Sequence, residues 1–126
     1  MPKWPFKWPF KEPSDPAGKA LYRIEEARKN GAQELNLSNL KLSTLPEAIS
    51  QLTQLQVLNL SRNQLSTLPE AIGQLTQLRE LNLSRNQLST LPEAIGQLTQ
   101  LWDLNLTGEN DSDEILTQDL SANVID

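Results

Sequence analysis

Apolar residues recur along the chain at a fixed interval of 23 residues. Residues 55–77 read LQVLNLSRNQLSTLPEAIGQLTQ, and residues 78–100 repeat this text except at the second and third positions. Residues 32–54 follow the same period with six differences, and a fourth unit begins at Leu101 with LWDLNLTGEN before the pattern is lost. Such periods are typical of repeat proteins, in which each unit packs only against its neighbours. We therefore expect a stack of short repeats.

Within a unit, the pattern predicts a short strand, a turn and a return segment. In the second unit Leu58 and Leu60 alternate with polar residues, which is the periodicity of a half-buried strand. Pro69 lacks an N–H group and therefore ends any strand ladder. The spacing of Ile72 and Leu75 then favours a short helical or 3₁₀ segment that returns on the opposite side. One unit cannot bury its leucines alone, whereas stacked units can.

The residues before the first repeat predict a helix that covers its exposed end. Asp15 is a favourable N-cap, Pro16 suits the first helical turn, and Gly31 suits a left-handed C-terminal residue. Between them an apolar stripe recurs at helical spacing, formed by Ala20, Leu21, Ile24 and Ala27. We expect a cap helix over residues 15–31.

The acidic C-terminal residues allow two interpretations. Residues 109–126 hold six acids and no base. Asp111 and Glu114 have capping-box spacing, and Leu116, Leu120 and Val124 recur every four residues. A short helix covering the last coil would explain this spacing, and disorder would explain the acidic composition.

The repeat text resembles the leucine-rich repeat family, whose pattern is LxxLxLxxNxLxxLPxxIxxLxx. The units, and the lead-in GKALYRIEEARKNGAQELNLS, are similar to bacterial and particularly cyanobacterial members. The resemblance implies an α/β repeat fold: a short solenoid with parallel strands on a concave face, short helical or 3₁₀ returns on a convex face, and an N-terminal cap helix. The resulting division is 1–14, a segment rich in Pro, Trp and Lys; 15–31, the cap helix; 32–108, the repeats (32–54, 55–77, 78–100 and a partial unit 101–108); and 109–126, the acidic tail.

The asparagine at position nine of the family pattern is present only in the two central units. Asn63 and Asn86 occupy this position, and the resemblance implies that their amides hydrogen-bond buried backbone groups of the turns. The first unit has Leu40 there and the fourth has Glu109. We interpret both departures as end effects.

The strand surface opposite the leucines is the candidate partner-binding surface. Equivalent positions of stacked strands form columns about 4.8 Å apart, and a polar row on rigid strands suits a protein or peptide ligand. The asparagine column would alternatively bond along itself, as stacked amides do. Trp102 is either a binding anchor or a residue packed under the C-terminal tail. The candidate residues are Glu34, Asn36, Val57, Asn59, Arg62, Arg79, Glu80, Asn82, Arg85, Trp102, Asp103 and Asn105.

Composition argues against catalysis. The 126 residues contain no cysteine and no histidine, which excludes disulfides, Cys/His zinc sites, thiolate nucleophiles and imidazole bases. Gly18-Lys19 lacks the rest of a phosphate-binding loop, and Asp111-Ser112-Asp113 lacks the glycine and the final glutamate of a calcium loop. With a net charge of −5 and no basic cluster, nucleic acid is not an expected partner. We expect neither an enzyme nor a cofactor or metal.

The N-terminal segment repeats the text KWPF. Its aromatic and basic residues would suit a membrane interface, or they would fold back on the first coil or be disordered. These possible membrane contacts are Lys3, Trp4, Phe6, Lys7, Trp8, Phe10 and Lys11.

The sequence therefore predicts a non-catalytic interaction module, monomeric and cytoplasmic, that binds a protein or peptide on its concave strand face. Absence of cysteine and of an apolar signal region, together with Asn-X-Ser/Thr acceptors on the strands, favours a bacterial cytoplasm. The alternatives are a weakly membrane-associated protein anchored through residues 3–10, or an isolated or engineered repeat fragment with no function of its own.

Overall fold

In the computed structural model, which describes residues 12–108, a helix is followed by four parallel strands joined through 3₁₀ segments. The strands form one sheet in the order β1-β2-β3-β4. The helix and strands are α1 (Pro16–Asn30), β1 (Glu34–Asn36), β2 (Val57–Asn59), β3 (Glu80–Asn82) and β4 (Asp103–Asn105). The 3₁₀ segments are Glu47–Gln51, Glu70–Gln74 and Glu93–Gln97.

The N-terminal helix has the caps that the sequence predicts. The Asp15 carboxylate accepts a hydrogen bond from the Gly18 N–H group at 2.8 Å. At the other end Gly31 is left-handed, with φ of 62°, and its N–H group donates back into the last turn. The helix buries Ala20 and Ile24 with Ala27, whereas Leu21 of the predicted stripe is only half-buried.

One of two paired arginines connects the helix to the first coil. The Arg23 guanidinium forms an ion pair with Glu12 and also donates to the Asn36 carbonyl oxygen at 3.1 Å, which connects α1 to β1. One turn further on, Arg28 binds Glu25 through two guanidinium nitrogens. The Arg23 bond to Asn36 therefore supplements the narrow apolar stripe in holding the helix on the first coil, whereas the Arg28–Glu25 pair lies within the helix.

The pair between Glu12 and Arg23 predicts a pH-dependent contribution to stability. The pKa of Glu12 lies below its ordinary value because the Arg23 guanidinium donates to its carboxylate, an effect that exceeds the opposing effect of burial. The stability that the charged Glu12 carboxylate contributes to the fold is therefore fully present above the unfolded-state pKa. It is lost as the pH falls through the folded-state pKa. Since both side chains are about one-third exposed, we expect no more than about 1 kcal/mol.

Urea denaturation at neutral and acidic pH tests this contribution. The difference in free energy of unfolding between the wild type and Glu12→Gln should shrink as the carboxylate protonates. A difference that stays constant across this pH range would contradict the interpretation.

The strands stack with the period read from the sequence. Leu35 lies beside Leu58, Leu58 beside Leu81, and Leu81 beside Leu104, so each strand residue pairs with the residue 23 positions further on. The ladder continues past the strands, where the Leu37 N–H group donates to the Asn59 carbonyl oxygen at 2.8 Å. The parallel repeat fold expected from the 23-residue period is confirmed.

Each return segment begins after a proline. Pro46, Pro69 and Pro92 precede the 3₁₀ segments with φ between −60° and −71°. The isoleucine three residues after each proline donates its N–H group back to the proline carbonyl oxygen at 3.1 Å. Ile72 and its equivalents in the other coils are buried. The strands have already ended about ten residues earlier, at Asn36, Asn59 and Asn82. Proline therefore does not end the strand, as the sequence suggested, but begins the short turn that closes the core.

The core is continuous but is less well covered at the C-terminal end of the described residues. Leu65 and Leu68 of the second coil are buried, whereas their equivalents Leu88 and Leu91 in the third coil are only half-buried. The fourth strand, which contains the half-buried Leu104, is followed by no described return segment. The two interpretations of residues 109–126 concern residues outside the described range.

Candidate functional site

A ladder of buried asparagine side chains connects the turns of neighbouring coils by hydrogen bonds. The Asn63 side chain is 6% exposed, and its Oδ1 accepts from the N–H groups of Leu40 and Leu42, each at 3.0 Å. Its Nδ2 donates to the carbonyl oxygens of Leu37 and Leu60, each at 2.9 Å, and to that of Ser61 at 3.3 Å. One amide therefore satisfies five backbone groups in two coils.

The ladder has a direction. Asn63 bonds the coil before its own, and Asn86 does the same through the Leu60 carbonyl oxygen and the Leu65 N–H group. A helix rather than a coil precedes the first unit. An asparagine at position 40 would therefore have no preceding turn with which to form hydrogen bonds. This explains the leucine there, and the equivalent question for Glu109 lies outside the described residues.

The outer side of the sheet, which we call the strand face, carries a second asparagine column. It is formed by Asn36, Asn59, Asn82 and Asn105, which are paired in register. Each Oδ1 accepts from both the backbone N–H and the hydroxyl of the residue two positions further on, at 2.6–3.0 Å. The suggestion that these amides bond along the column is wrong, because their oxygens are occupied within their own coils.

The other polar group of each of these amides is the Nδ2 donor, and the bonds to Oδ1 fix its direction. Within residues 12–108 no hydrogen-bond acceptor faces the Nδ2 atoms of this column. Because Oδ1 must accept from a backbone N–H group, the orientation of the amide is fixed. The column therefore presents a row of N–H donors about 4.8 Å apart.

Acidic residues flank this row on the amino-terminal side of the strands. Glu80 and Asp103 are register partners, and neither forms an ion pair within the described part of the chain. Like charges placed directly opposite on neighbouring strands repel. Glu34 belongs to the same column, and Val57 separates it from Glu80.

A depression of about 190 Å³ lies between the acidic and the amide columns. It spans β2, β3 and β4, and its lining is acidic, amide and apolar. The lining residues are Val57, Leu58, Asn59, Glu80, Leu81, Asn82, Asp103 and Asn105.

Arginines occupy the carboxyl-terminal side of the strands in an unusual conformation. Asn39, Arg62 and Arg85 stand at the same position of successive units with φ of 58°, 59° and 58°. Their N–H groups still pair with the next coil, as in the 2.9 Å bond from Arg62 to the Ser84 carbonyl oxygen. The left-handed conformation costs a residue other than glycine or asparagine about 1 kcal/mol. An arginine in the sequence does not predict a left-handed backbone. The asparagine at the same position in the first unit does favour it, because asparagine tolerates positive φ.

Replacing Arg62 by asparagine should therefore stabilise the fold. Asn39 already adopts this conformation in the first coil, so Arg62→Asn is expected to raise the free energy of unfolding by about 0.5 kcal/mol. The matched variant Arg62→Val should lower it, because a β-branched residue is strained at positive φ. Urea denaturation measures both, and equal effects would contradict the assigned backbone conformation.

The second position of each unit lies at the amino-terminal edge of the strand face. Trp102 is 60% exposed there, and its backbone N–H group donates to the Arg79 carbonyl oxygen at 3.0 Å. Within residues 12–108 it is the sole large apolar side chain left exposed. Whether the tail packs over it concerns residues beyond the described range, as do all the candidate membrane contacts from Lys3 to Lys11.

Residues 12–108 contain no group of three or more carboxylate, histidine or cysteine side chains arranged to hold a metal ion. Within the same range, α1 is too short and too polar for a membrane-spanning helix, and no other helix approaches the necessary length.

Comparisons with known proteins agree with the geometry. The family model described as leucine-rich repeat region matches residues 33–122. A solved structure of a leucine-rich repeat protein from Leptospira interrogans is similar, with 39% sequence identity and a TM-score of 0.64. The match covers 82% of this chain and 27% of that one, so this chain spans about a quarter of the length of that protein. None of the curated proteins matches the chain.

Proposed function

Because the chain belongs to the leucine-rich repeat family, we propose that it is a non-catalytic interaction module that binds a protein or peptide on its strand face. The observation that carries this proposal is the row of fixed amide donors that has no acceptor within residues 12–108. Donors that the protein orients but does not use are suited to a ligand with free carbonyl oxygens.

The dimensions of the strand face favour a small ligand. The four described strands span about 14 Å across the stack. A standard protein–protein interface buries about 800 Å² on each partner, which exceeds such a surface. A peptide segment, or a loop of a larger partner, fits this face better than a flat protein surface.

Accessible side chains at the borders of the strand face would add binding affinity. Trp102 is amphipathic and accessible, and aromatic and arginine residues commonly dominate binding energies. The half-buried Val57 interrupts the acidic column and offers an apolar contact in the depression. The proposed contacts are the twelve candidate residues given above.

We also propose that the protein acts as a monomer in a bacterial cytoplasm. The four strand-face asparagines each begin an Asn-X-Ser/Thr acceptor sequence, and glycans on them would cover the proposed binding surface. A compartment without N-glycosylation keeps the face accessible.

Affinity capture from the native host tests the proposal. The full chain should retain a partner, whereas Arg62→Ala/Arg85→Ala/Trp102→Ala should lose it, because those side chains border the strand face. The matched control Glu70→Ala/Glu93→Ala changes exposed residues of the 3₁₀ segments and should keep the partner. Unchanged circular dichroism establishes that both variants fold. Retention by the triple variant, or loss in the control, would contradict binding at the strand face.

A further inference from the structure

The two ends of the repeat stack differ in how their leucines are covered. At the amino-terminal end α1 packs on the first coil and buries its apolar residues there. At the carboxyl-terminal end Leu88, Leu91 and Leu104 are only half-buried within residues 12–108. Because the ends of repeat stacks require a capping element, this second end is a candidate docking surface.

Two equivalent glycines indicate which part of this end is open. A Cβ atom added to Gly73 would lie 2.8 Å from the Cβ atom of Ala94 in the next coil, so that side of the second coil is filled. A Cβ atom added to Gly96 would meet nothing within 4 Å in the described part of the chain. The return segment of the third coil therefore lacks the neighbour that it provides to the second.

The asparagine ladder also stops one step short at this end. In the two central coils the amide at position nine accepts from a leucine N–H group 21 residues earlier, as Asn86 does from Leu65. The next step joins Leu88 to position 109, where the sequence has Glu109. Within residues 12–108 the Leu88 N–H group has no acceptor. A half-buried donor without an acceptor costs free energy on folding, so it indicates a polar neighbour on this side.

The following residues have the length and the apolar spacing to supply the neighbour. A unit takes 23 residues, of which 101–108 provide eight, and 18 more follow. Leu116 and Leu120 are four residues apart, as are Leu91 and Ile95 in the third coil. They stand 25 residues after those positions, two more than the repeat period of 23. The match to the family model likewise continues past residue 108, to residue 122.

From these observations we propose that the open end is a docking surface for residues 109–126 of the same chain, which complete a fourth coil with a two-residue insertion. The Glu109 carboxylate accepts from the Leu88 N–H group, in the place that asparagine takes in the central coils. Leu116 and Leu120 pack beside their equivalents in the third coil, and the residues around them cover Gly96. This contact lies within one chain and does not depend on the proposed partner.

The acidic composition limits the strength of the docking. Residues 109–126 hold six acids and no base, and like charges brought together in one coil repel each other. Burial of the leucines supplies the opposing attraction. We therefore expect the fourth coil to open more often than the central coils do.

Amide hydrogen exchange in the full chain, followed by NMR, tests the docking. The Leu88 N–H group should exchange about tenfold more slowly in the wild type than in Leu116→Asp/Leu120→Asp, because charged side chains cannot be buried against the third coil. The matched control Thr117→Asp/Ser121→Asp adds the same charge at neighbouring positions and should keep the wild-type rate. The Leu60 N–H group, which donates to the Asn82 carbonyl oxygen, should stay protected in all three proteins, which establishes that the central coils remain folded.

A second pair of variants tests the role of Glu109. Glu109→Ala removes the acceptor and should speed the exchange at Leu88 about fivefold. Glu109→Asn should retain the protection, because asparagine makes the equivalent bond to Leu65. Equal exchange rates in these two variants would overturn the role assigned to the carboxylate.

The remaining outcomes decide what covers the open end. Exchange at Leu88 that is equally fast in the wild type and in Leu116→Asp/Leu120→Asp would overturn the docking, as would a loss of protection in the matched control. Docking within one chain gives the same exchange rate at two protein concentrations. Protection that rises with concentration would overturn the proposal in favour of contact with a second copy. The capture experiment tests the proposed function independently of all these results.

Discussion

Asn63→Ala is expected to lower the free energy of unfolding by about 3–5 kcal/mol. The substitution removes the acceptor for the Leu40 and Leu42 N–H groups and the donor to the Leu37 carbonyl oxygen. The other two carbonyl oxygens keep donors from Asn86 and Asn39. Because the site is almost fully buried, water cannot replace these bonds without opening the stack. Each buried polar group left without a partner costs about 1–3 kcal/mol, and partial relaxation keeps the total below the simple sum.

Asn82→Ala is the matched control for this prediction. It changes the same residue type, but its amide accepts only local bonds from Ser84 on the partly accessible strand face. We expect a loss of about 1 kcal/mol or less. Urea denaturation of the wild type and both variants gives the comparison. Losses that agree within error would contradict the structural role assigned to the buried ladder.

The second large effect is expected from Leu58→Ala, which should lower the free energy of unfolding by about 3–4 kcal/mol. Leu58 is fully buried and lies between Leu35 and Leu81, so its removal leaves a cavity against two neighbouring coils. Such a cavity collapses poorly because the ladder holds the backbone of each coil to the next.

Leu104→Ala is the matched control for the core. It occupies the same position of the fourth strand but is half-buried, and its described strand neighbour is β3 alone. We expect about 1–2 kcal/mol, since less apolar surface leaves water on folding. Guanidinium or urea denaturation measures both variants. An equal or larger loss in Leu104→Ala would contradict the stacked core.

The period of the repeat is sufficient to predict the fold. Leucines at fixed intervals require a common interior, and prolines such as Pro69 mark where each return segment begins. The parallel register and the 3₁₀ returns both follow from these two features. The helix caps at Asp15 and Gly31 are also local chemistry and are visible in the text.

The direction and geometry of the polar contacts are not predictable in the same way. That Asn63 bonds the preceding coil depends on the offset between neighbouring turns, which the repeat text does not contain. The bonds from Asn59 to Ser61 depend on the turn after the strand. The positive φ of Arg62 is likewise a property of the shared turn rather than of arginine.

These contacts change the interpretation of the strand face. An amide column bonded along itself would be only structural, whereas amides fixed within their own coils leave ordered donors outside. The candidate partner-binding residues remain a proposal. Its physical basis is the row of amide donors that the 23-residue register aligns.

Hydrogen bonds between coils, detected by scalar coupling across them in NMR spectra, test that register most directly. The account predicts couplings from the N–H groups of Leu37, Leu60 and Leu83 to the carbonyl carbons of Asn59, Asn82 and Asn105, in that order. A pairing shifted by one residue would turn the leucines out of the core and misalign every column, and observing it would contradict both the fold and the proposed binding face.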